Sequence, residues 1–456
     1  MRRQLVTAAS VALLLVAMTV AGAAPILDGS KITETQLENG LRLIVKPEHQ
    51  WGLVSVGLYI RAGSLFESDE NAGIAHLIEH LLFEATDRTG AQRIATAIES
   101  MGGDIAARTT RDFTHVDVTV ASQFLPQALE LMARAAFEVE FTPATVSRER
   151  EIVARELTDR ATYAEGSLDD LIWDTALSTH PYRRGIGGGV DQVARLTIEQ
   201  IEEFHSRFYV PANMALIVVG DVEPEALTAS VEELFGAQPA AAIELPVPPA
   251  EMPQSDIRTV VRTRASDTTL FTYAWRAPGI ADPADVCAMD LIYTLLGEGA
   301  FGRLYPALEE TGLALMTSVD YLTQRYPGLV MVTVLTTPEH DLRARGSVLA
   351  EIARLRDDPV PEIELAQAKR LLRISYAFNN EAYSDQVATM GFYAAIDSYQ
   401  FAVDYLNLTD AVTAEDITRV ARKYLTLDSY TLTVIRPEPG ETEEARALCD
   451  NMPPLG

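Results

Sequence analysis

Two histidines and a glutamate stand close together in the motif His76-x-x-Glu79-His80. In a helix that turns by about 100° per residue, all three face away from a stripe of apolar neighbours. Two imidazoles one turn apart can bind a single zinc ion, and a carboxylate beside them can take a proton from a bound water. The motif therefore predicts a metal-dependent hydrolase, with histidines on the surface of an amphipathic helix as the simpler alternative. The apolar stripe consists of Ile74, Leu77, Ile78, Leu81 and Leu82.

A catalytic zinc site needs a third protein ligand and leaves one position open for water. The next strongly helical segment starts after Thr142, a suitable N-cap, with Pro143 in its first turn. Glu149 and Glu156 are seven residues apart, so they lie on the same face of this helix. The third ligand is therefore expected on this face, which flanks a buried stripe formed by Val146, Val153 and Leu157.

In the His-x-x-Glu-His motif and the helical segment with Glu149 and Glu156, the sequence resembles the pitrilysin/insulysin peptidases. This family includes the mitochondrial processing peptidases. Members carry the inverted zinc motif His-x-x-Glu-His and a ligand glutamate further along the chain. Glu156 follows His80 by 76 positions, as the family pattern requires. Three further segments match the family, and the resemblance covers essentially the whole mature chain. These segments are Gly102-Gly103, His180-Pro181-Tyr182 and the stretch around Asn213.

The resemblance implies zinc as the cofactor, with His76, His80 and Glu156 as its ligands. Glu79 would be the general base, and Glu149 would lie behind the ligands and orient His76 or His80. The resemblance also implies an α+β fold with two duplicated domains of the mitochondrial-processing-peptidase/LuxS-like metallohydrolase type. Each domain would be an antiparallel-rich sheet packed with helices. The motifs do not identify substrate-binding residues.

An internal repeat supports the duplication. Thr197 opens a helical pattern that precedes the strand-like segment 214–219, and Thr413 opens another that precedes segment 430–435, at a constant offset of 216 residues. A Pro- and Ala-rich stretch separates the two halves. We therefore expect a zinc-bearing domain at 24–236, a linker at 237–256 and a homologous domain without a metal site at 257–456. Residues 1–23 are expected to be a signal peptide, for reasons of charge and hydrophobicity given below.

The second half has lost the metal-binding motif. An alignment of the two halves places Asp290, Tyr293 and Thr294 opposite the first histidine, the glutamate and the second histidine. Neither tyrosine nor threonine is a ligand that zinc sites ordinarily use. One chain is therefore expected to hold one zinc site.

Two departures from the family pattern bear on activity. Ala106 stands where active members usually carry an Asn that helps to hold the substrate. Leu308 or Glu309 stands near the position of a substrate-binding Arg, and Leu315 replaces a Tyr that stabilises the transition state. The family closes two clamshell halves around a peptide, and this chain supplies one half. We therefore expect a heterodimer with a homologous chain that carries the missing Arg and Tyr, with a homodimer as the alternative.

Charge and targeting narrow the cellular role. The chain has 37 Lys and Arg against 65 Asp and Glu, and its net charge of −28 argues against nucleic-acid binding. Basic residues 2–3, the apolar run 11–20 and the small residues 21–23 predict a cleaved signal peptide and no membrane anchor afterwards. A bacterial periplasm fits this pattern better than secretion into the medium. Cys287 and Cys449 are compatible with one disulfide or with two thiols.

The leading functional interpretation is an exported zinc metalloendopeptidase that hydrolyses extended peptides or oligopeptides inside a closed chamber. Such peptides would bind as an added strand on a sheet edge of the first domain. The alternative is a weakly catalytic or non-catalytic subunit of a peptidase-like assembly. The complete metal motif favours the first interpretation, and the missing Arg and Tyr favour the second.

Overall fold

The computed structural model describes residues 26–85 and 93–438. The expected signal peptide and Cys449 lie outside these ranges, whereas Cys287 is buried in the core of the second half. Within the described ranges, no helix combines the length and the apolar character that crossing a membrane would require.

The described strands form two sheets, one in each half of the chain. The first sheet contains β1 (Thr33–Gln36), β2 (Arg42–Pro47), β3 (Leu53–Ile60), β4 (Asp104–Thr109), β5 (Thr114–Ala121) and β6 (Met214–Gly220). The second sheet contains β7 (Arg258–Arg264), β8 (Thr269–Arg276), β9 (Met316–Tyr321), β10 (Leu329–Thr336) and β11 (Thr431–Pro437).

The two sheets share one topology. The strand order is β1-β2-β6-β3-β5-β4 in the first and β7-β11-β8-β10-β9 in the second. Apart from β1, each strand has a counterpart, and in both sheets a parallel pair (β2 with β6, β7 with β11) lies beside antiparallel ones. This agreement confirms the α+β fold with two duplicated domains that the sequence predicts.

Helices cover these sheets and connect their strands. In the first half they are α1 (Ile74–Leu82), α2 (Ile94–Ser100), α3 (Leu125–Phe137), α4 (Pro143–Thr162), α5 (Ala164–Ala176), α6 (Val190–Val193), α7 (Ile198–Phe208) and α8 (Pro224–Leu234). In the second half they are α9 (Pro283–Gly297), α10 (Asp341–Asp357), α11 (Glu362–Phe378), α12 (Tyr383–Ile396), α13 (Gln400–Ala411) and α14 (Ala414–Tyr424).

The two repeated helices α7 and α14 begin with the same chemistry. The Thr197 side chain accepts the backbone N–H of Gln200 at 3.2 Å, and the Thr413 side chain accepts that of Asp416 at 3.2 Å. Each threonine satisfies an N–H group that has no partner inside its helix. The local signal that revealed the repeat in the sequence is therefore a pair of equivalent helix caps.

Helix α12 of the second half packs on the first sheet and joins the two domains. Strands β3 and β6 are buried along almost their whole length, because α12 covers one face and the helices of the first half cover the other. Gly391 makes the close approach possible, since a Cβ there would lie 2.1 Å from the Tyr59 ring. Arg42 also donates a hydrogen bond to the Ala394 carbonyl at 3.1 Å. These contacts fix the second domain against the sheet that carries the metal motif.

Candidate metal centre

Helix α1 carries the His-x-x-Glu-His motif, and its start is held by a residue outside the motif. Its N-cap, Gly73, has a φ of +91° and offers no capping side chain. The N–H groups of Gly73 and Ala75 instead donate to the two carboxylate oxygens of Glu67, each at 3.0 Å. Burial raises the pKa of Glu67 to about 8, although the two hydrogen bonds oppose the shift. Glu67 therefore fixes the first turn of α1, which contains His76.

Burial along α1 follows the helical periodicity that the sequence predicts. His76, Glu79 and His80 are partly exposed on one side of the helix. The opposite side packs into the core of the first domain and fixes the rotation of α1 about its own axis. The buried residues on that side are Ile74, Leu77, Ile78, Leu81 and Leu82.

Helix α4 brings Glu156 to the two histidines. The Glu156 Oε2 atom lies 3.6 Å from His76 Nε2 and 3.4 Å from His80 Nε2. The two imidazole rings are almost perpendicular, at 84°, with their centroids 4.9 Å apart. In the described part of the chain, donor atoms of these three residues all lie within 4.8 Å of one another.

This donor set fits a zinc ion. Ligand atoms bound to tetrahedral zinc at about 2.1 Å are separated from one another by about 3.4 Å, which matches both distances from Glu156. Burial lowers the pKa of His76, and the charges of Glu79 and Glu156 only partly oppose this shift. The neutral imidazole that results is the form that binds metals. Two nitrogens and one oxygen leave a fourth position for water or substrate.

Glu79 lies on the same face of α1 but is not among the three residues that could share the ion. Its Oε2 atom is buried and has no hydrogen-bond partner among the described residues. A buried carboxylate oxygen without a partner is costly, so such an atom at a metal centre is a candidate for a chemical role. Glu79 thus combines a place on the motif face of α1 with a carboxylate oxygen that no described residue satisfies.

Glu149 lies behind His80. Its Oε2 atom is 3.4 Å from His80 Nδ1, and its other carboxylate oxygen is 3.2 Å from the Arg148 Nε. The sequence left open whether Glu149 would approach His76 or His80, and in the structure it approaches His80. A carboxylate at Nδ1 favours the tautomer that carries its proton there, which leaves Nε2 free for a metal.

A glycine-rich loop at residues 185–189 packs directly against His76. A Cβ on Gly187 would lie 3.2 Å from His76 Nδ1 and 2.7 Å from a methyl group of Leu157. Gly188 has a φ of +65°, and a Cβ there would lie 2.5 Å from the Ala72 carbonyl oxygen. The loop can therefore approach the start of α1 only because Gly187 and Gly188 carry no side chains.

Sequence reasoning missed the roles of Glu67 and of this loop. Glu67 lies six residues before the N-cap that it satisfies, outside the usual spacing of a capping box. The consecutive glycines at 187–189 indicated a loop but not its neighbour. A glycine N-cap without a capping side chain was the one available sign that a distant acceptor would be needed.

The positions that depart from the family pattern supply no donor near the metal centre. Ala106 is exposed on β4. Leu308 is buried in the core of the second domain, and Glu309 is half-buried beside it. Leu315 is exposed, with 59% of its surface accessible. In place of an Arg and a Tyr, the second domain thus presents apolar and acidic side chains.

Family models match both halves of the chain. The model described as insulinase (peptidase family M16) matches residues 43–188, and the model described as peptidase M16 inactive domain matches residues 195–372. The first of these ranges contains α1 and α4, and the second contains β7–β10 of the second sheet. The second model begins before β6, so its boundary does not coincide with the boundary between the sheets.

Two curated relatives extend over most of the chain. An uncharacterized zinc protease of Mycobacterium bovis is 29% identical over 401 residues, which cover 86% of this chain and 90% of that protein. The mitochondrial-processing peptidase subunit beta of Bos taurus is 26% identical over 448 residues, which cover 95% of this chain and 90% of that protein.

Two solved structures show the same fold. A protease from Helicobacter pylori matches with a TM-score of 0.84 and 24% identity, over 89% of this chain and 99% of that one. The periplasmic protease PqqL from Escherichia coli matches with a TM-score of 0.74 and 19% identity, over 94% of this chain but 50% of that one. The duplicated fold, the inverted motif and both matching models lead to one assignment: the chain belongs to the M16 (insulinase) family of peptidases, of the pitrilysin type.

Proposed function

We propose that this protein is an exported zinc metalloendopeptidase that hydrolyses extended peptides or oligopeptides. Its cofactor is zinc, as in the relatives named zinc proteases. In this proposal His76, His80 and Glu156 bind the zinc ion and Glu79 is the general base. The observation that carries it is the convergence of three donor atoms from two separate helices, beside Glu79, whose Oε2 atom has no partner among the described residues.

Each residue has a distinct task in hydrolysis. Zinc bound here supplies Lewis-acid chemistry, which activates water as a nucleophile and polarises the scissile carbonyl. Glu79 accepts the proton of the attacking water and can deliver it to the leaving amine. Glu149 holds His80 in the orientation that points Nε2 toward the metal, and Glu67 keeps the first turn of α1 in place.

The edge of the first sheet is the proposed binding surface for the peptide. Strand β4 is the last strand in the sheet order and pairs on one side with β5, and on its other side no strand of the described residues pairs with it. A peptide added there would be held by main-chain hydrogen bonds, which give broad specificity. Helix α1 contacts β4, so a peptide on this edge would pass close to the metal centre.

Metal removal tests this function. We expect the purified protein to contain one zinc ion per chain and to cleave an internally quenched peptide. Dialysis against a chelator should abolish cleavage, because His76, His80 and Glu156 then hold no Lewis acid. Stoichiometric zinc should restore it. Cleavage that persists in protein shown by elemental analysis to be metal-free would contradict the proposal.

The chain is proposed to be half of a clamshell. It matches half of the length of the periplasmic protease PqqL, and the second domain lacks the Arg and Tyr donors of the family pattern. A homologous chain with these residues would complete the chamber, and a second copy of this chain is the alternative. We expect mixing with such a homologue to raise kcat by about 10²–10³-fold, the typical contribution of an oxyanion donor. Equal rates for the single chain and for every mixture would contradict the heterodimer.

We also propose a signal peptide that directs export and a division of the remaining chain into two domains. Residues 1–23 would be removed on export to a periplasm, and the domains would comprise residues 24–236 and 257–456, joined by the linker 237–256. The first sheet ends with β6 and the second starts with β7, at Arg258, which supports this division.

The non-catalytic alternative requires that a purified chain with a full complement of zinc cleave no peptide, alone or with a partner.

A further inference from the structure

The second domain contains a cavity at the position that the metal centre occupies in the first. Helix α9 connects β8 to β9, as α1 lies between β3 and β4, and α9 packs against α14 as α1 packs against α7. Helix α11 contacts α9, as α4 contacts α1. Between α9 and α11 lies a cavity of about 480 Å³. The cavity of the second domain therefore lies between the two helices that correspond to the metal-binding helices of the first.

The chemistry of this cavity is aromatic and acidic. Asp290 lies on α9, at the position opposite His76 in the aligned repeats, and lines the cavity together with four tyrosines, Tyr293, Tyr321, Tyr376 and Tyr405. Glu298 lines it as well, whereas none of the lining residues is a lysine, arginine or histidine. An anion would meet two carboxylates here without any positive charge.

Asp290 is a carboxyl group without a counter-charge. Its Oδ2 atom accepts a hydrogen bond from the Tyr405 hydroxyl at 2.9 Å. Burial raises the pKa of Asp290 to about 7, and the hydrogen bond from Tyr405 opposes the shift only in part. Folding thus places a half-buried acid in a cavity where no described cation stabilises its charged form. Such an acid in a cavity is characteristic of a binding site.

We propose that this cavity binds an organic cation, a guanidinium or ammonium group, through Asp290 and the faces of the surrounding tyrosines. The carboxylate supplies the counter-charge, and aromatic rings attract cations over their faces. A divalent metal fits less well, because among the described residues no three His, Cys, Asp or Glu donor atoms converge here, and zinc sites usually include histidine or cysteine. The negative charge of the whole protein, −28, also attracts cationic ligands.

Two further cavities lie between this one and the first domain, and neighbouring members of the series share lining residues. A neighbouring cavity of about 450 Å³ shares Tyr376 and Tyr405 with it and reaches Leu322 and Phe392. These last two residues also line a cavity of about 570 Å³ against the end of β4. A basic side chain of a peptide held on β4 could therefore enter from the chamber, and so could a free polyamine. Binding of a basic side chain that belongs to a peptide rests on the proposed function. Binding of a free polyamine does not.

The pH dependence follows from the groups that face Asp290. A cation binds its ionised form, so affinity should rise by about tenfold between pH 6 and pH 8, across a pKa of about 7. Burial raises the pKa values of the surrounding tyrosines and of Cys287, so these groups remain uncharged in this range. The other acids near the cavity are Glu298, Asp320 and Asp385.

Calorimetric titration of the full-length Glu79→Gln protein, with and without Asp290→Asn, tests the proposal. The probes are spermidine and alanine-rich peptides that carry one arginine or its neutral analogue citrulline at successive positions. We expect at least one arginine peptide or spermidine to bind at least tenfold more tightly when Asp290 is present. Binding of spermidine identifies free polyamines as ligands, and a preference for arginine over citrulline identifies peptides.

A matched control separates this effect from general electrostatics. Asp267→Asn removes one exposed acid from the loop between β7 and β8 and should leave every affinity within twofold. The proposal is overturned if both probe classes bind equally well to the proteins with and without Asp290→Asn. Spermidine binding requires neither zinc nor Glu79, so failure of the peptidase function would leave that part of the test intact.

Discussion

Replacement of Glu79 by glutamine is expected to lower kcat by about 10³-fold, within the range that general acid–base catalysis usually contributes. Glutamine has nearly the same shape but cannot accept a proton from the attacking water. The carboxylate oxygen concerned is buried and has no partner among the described residues, so its loss should not disturb the fold. The measurement is the steady-state rate on an internally quenched peptide.

Zinc content is the control for this substitution. Glu79 is not one of the three residues whose donor atoms converge, so Glu79→Gln should keep one zinc ion per chain. A variant that keeps its zinc and more than a tenth of its activity would show that another group moves the proton. A variant that loses its zinc would show that Glu79 is a ligand, contrary to the proposed assignment.

Replacement of Glu156 by glutamine should remove the third ligand. Changes to groups that merely orient ligands cost about 10–100-fold in metal affinity, so loss of a charged ligand should weaken zinc binding by more than about 100-fold. Competition with a chromophoric chelator measures this affinity directly. Activity should fall in parallel at low zinc and should recover in part at high zinc, because both histidines remain.

Two glutamates on the same helix provide matched controls. Glu149→Gln keeps all three proposed ligands but weakens the hold on His80 Nδ1, so its loss of affinity should be the smaller one. Glu151→Gln changes an exposed residue and should have no effect on zinc binding. Equal affinities for Glu156→Gln and Glu151→Gln would remove Glu156 from the metal centre.

Much of the site could be predicted because its signals are local. The N-cap Thr142 and Pro143 define the start of α4, as expected, and the buried positions Val146 and Val153 follow helical periodicity. Leu157 is only half-buried, because its side chain lies against Gly187 at the edge of the site and not inside the core. Helix caps and helical periodicity depend on residues that are close together in the sequence, so they can be recognised from one sequence alone.

The features that sequence reasoning missed depend on contacts between distant residues. Nothing near Glu67 shows that its carboxylate returns to the start of α1, and nothing near Gly187 shows that a loop will contact His76. The packing of α12 on β3 and β6 likewise joins segments that are far apart in the chain. The surroundings of Asp290, a hydrogen bond from Tyr405 and a cavity without a described cation, likewise depend on segments that are distant in the chain.

Anomalous X-ray diffraction from crystals of the zinc-loaded protein, collected on both sides of the zinc edge, tests the central claim most directly. The account predicts one strong peak per chain, at about 2.0–2.2 Å from His76 Nε2, His80 Nε2 and a Glu156 carboxylate oxygen, with Glu79 outside the coordination sphere. A zinc peak elsewhere in the chain, or one at this position that lacks Glu156 as a ligand, would contradict it.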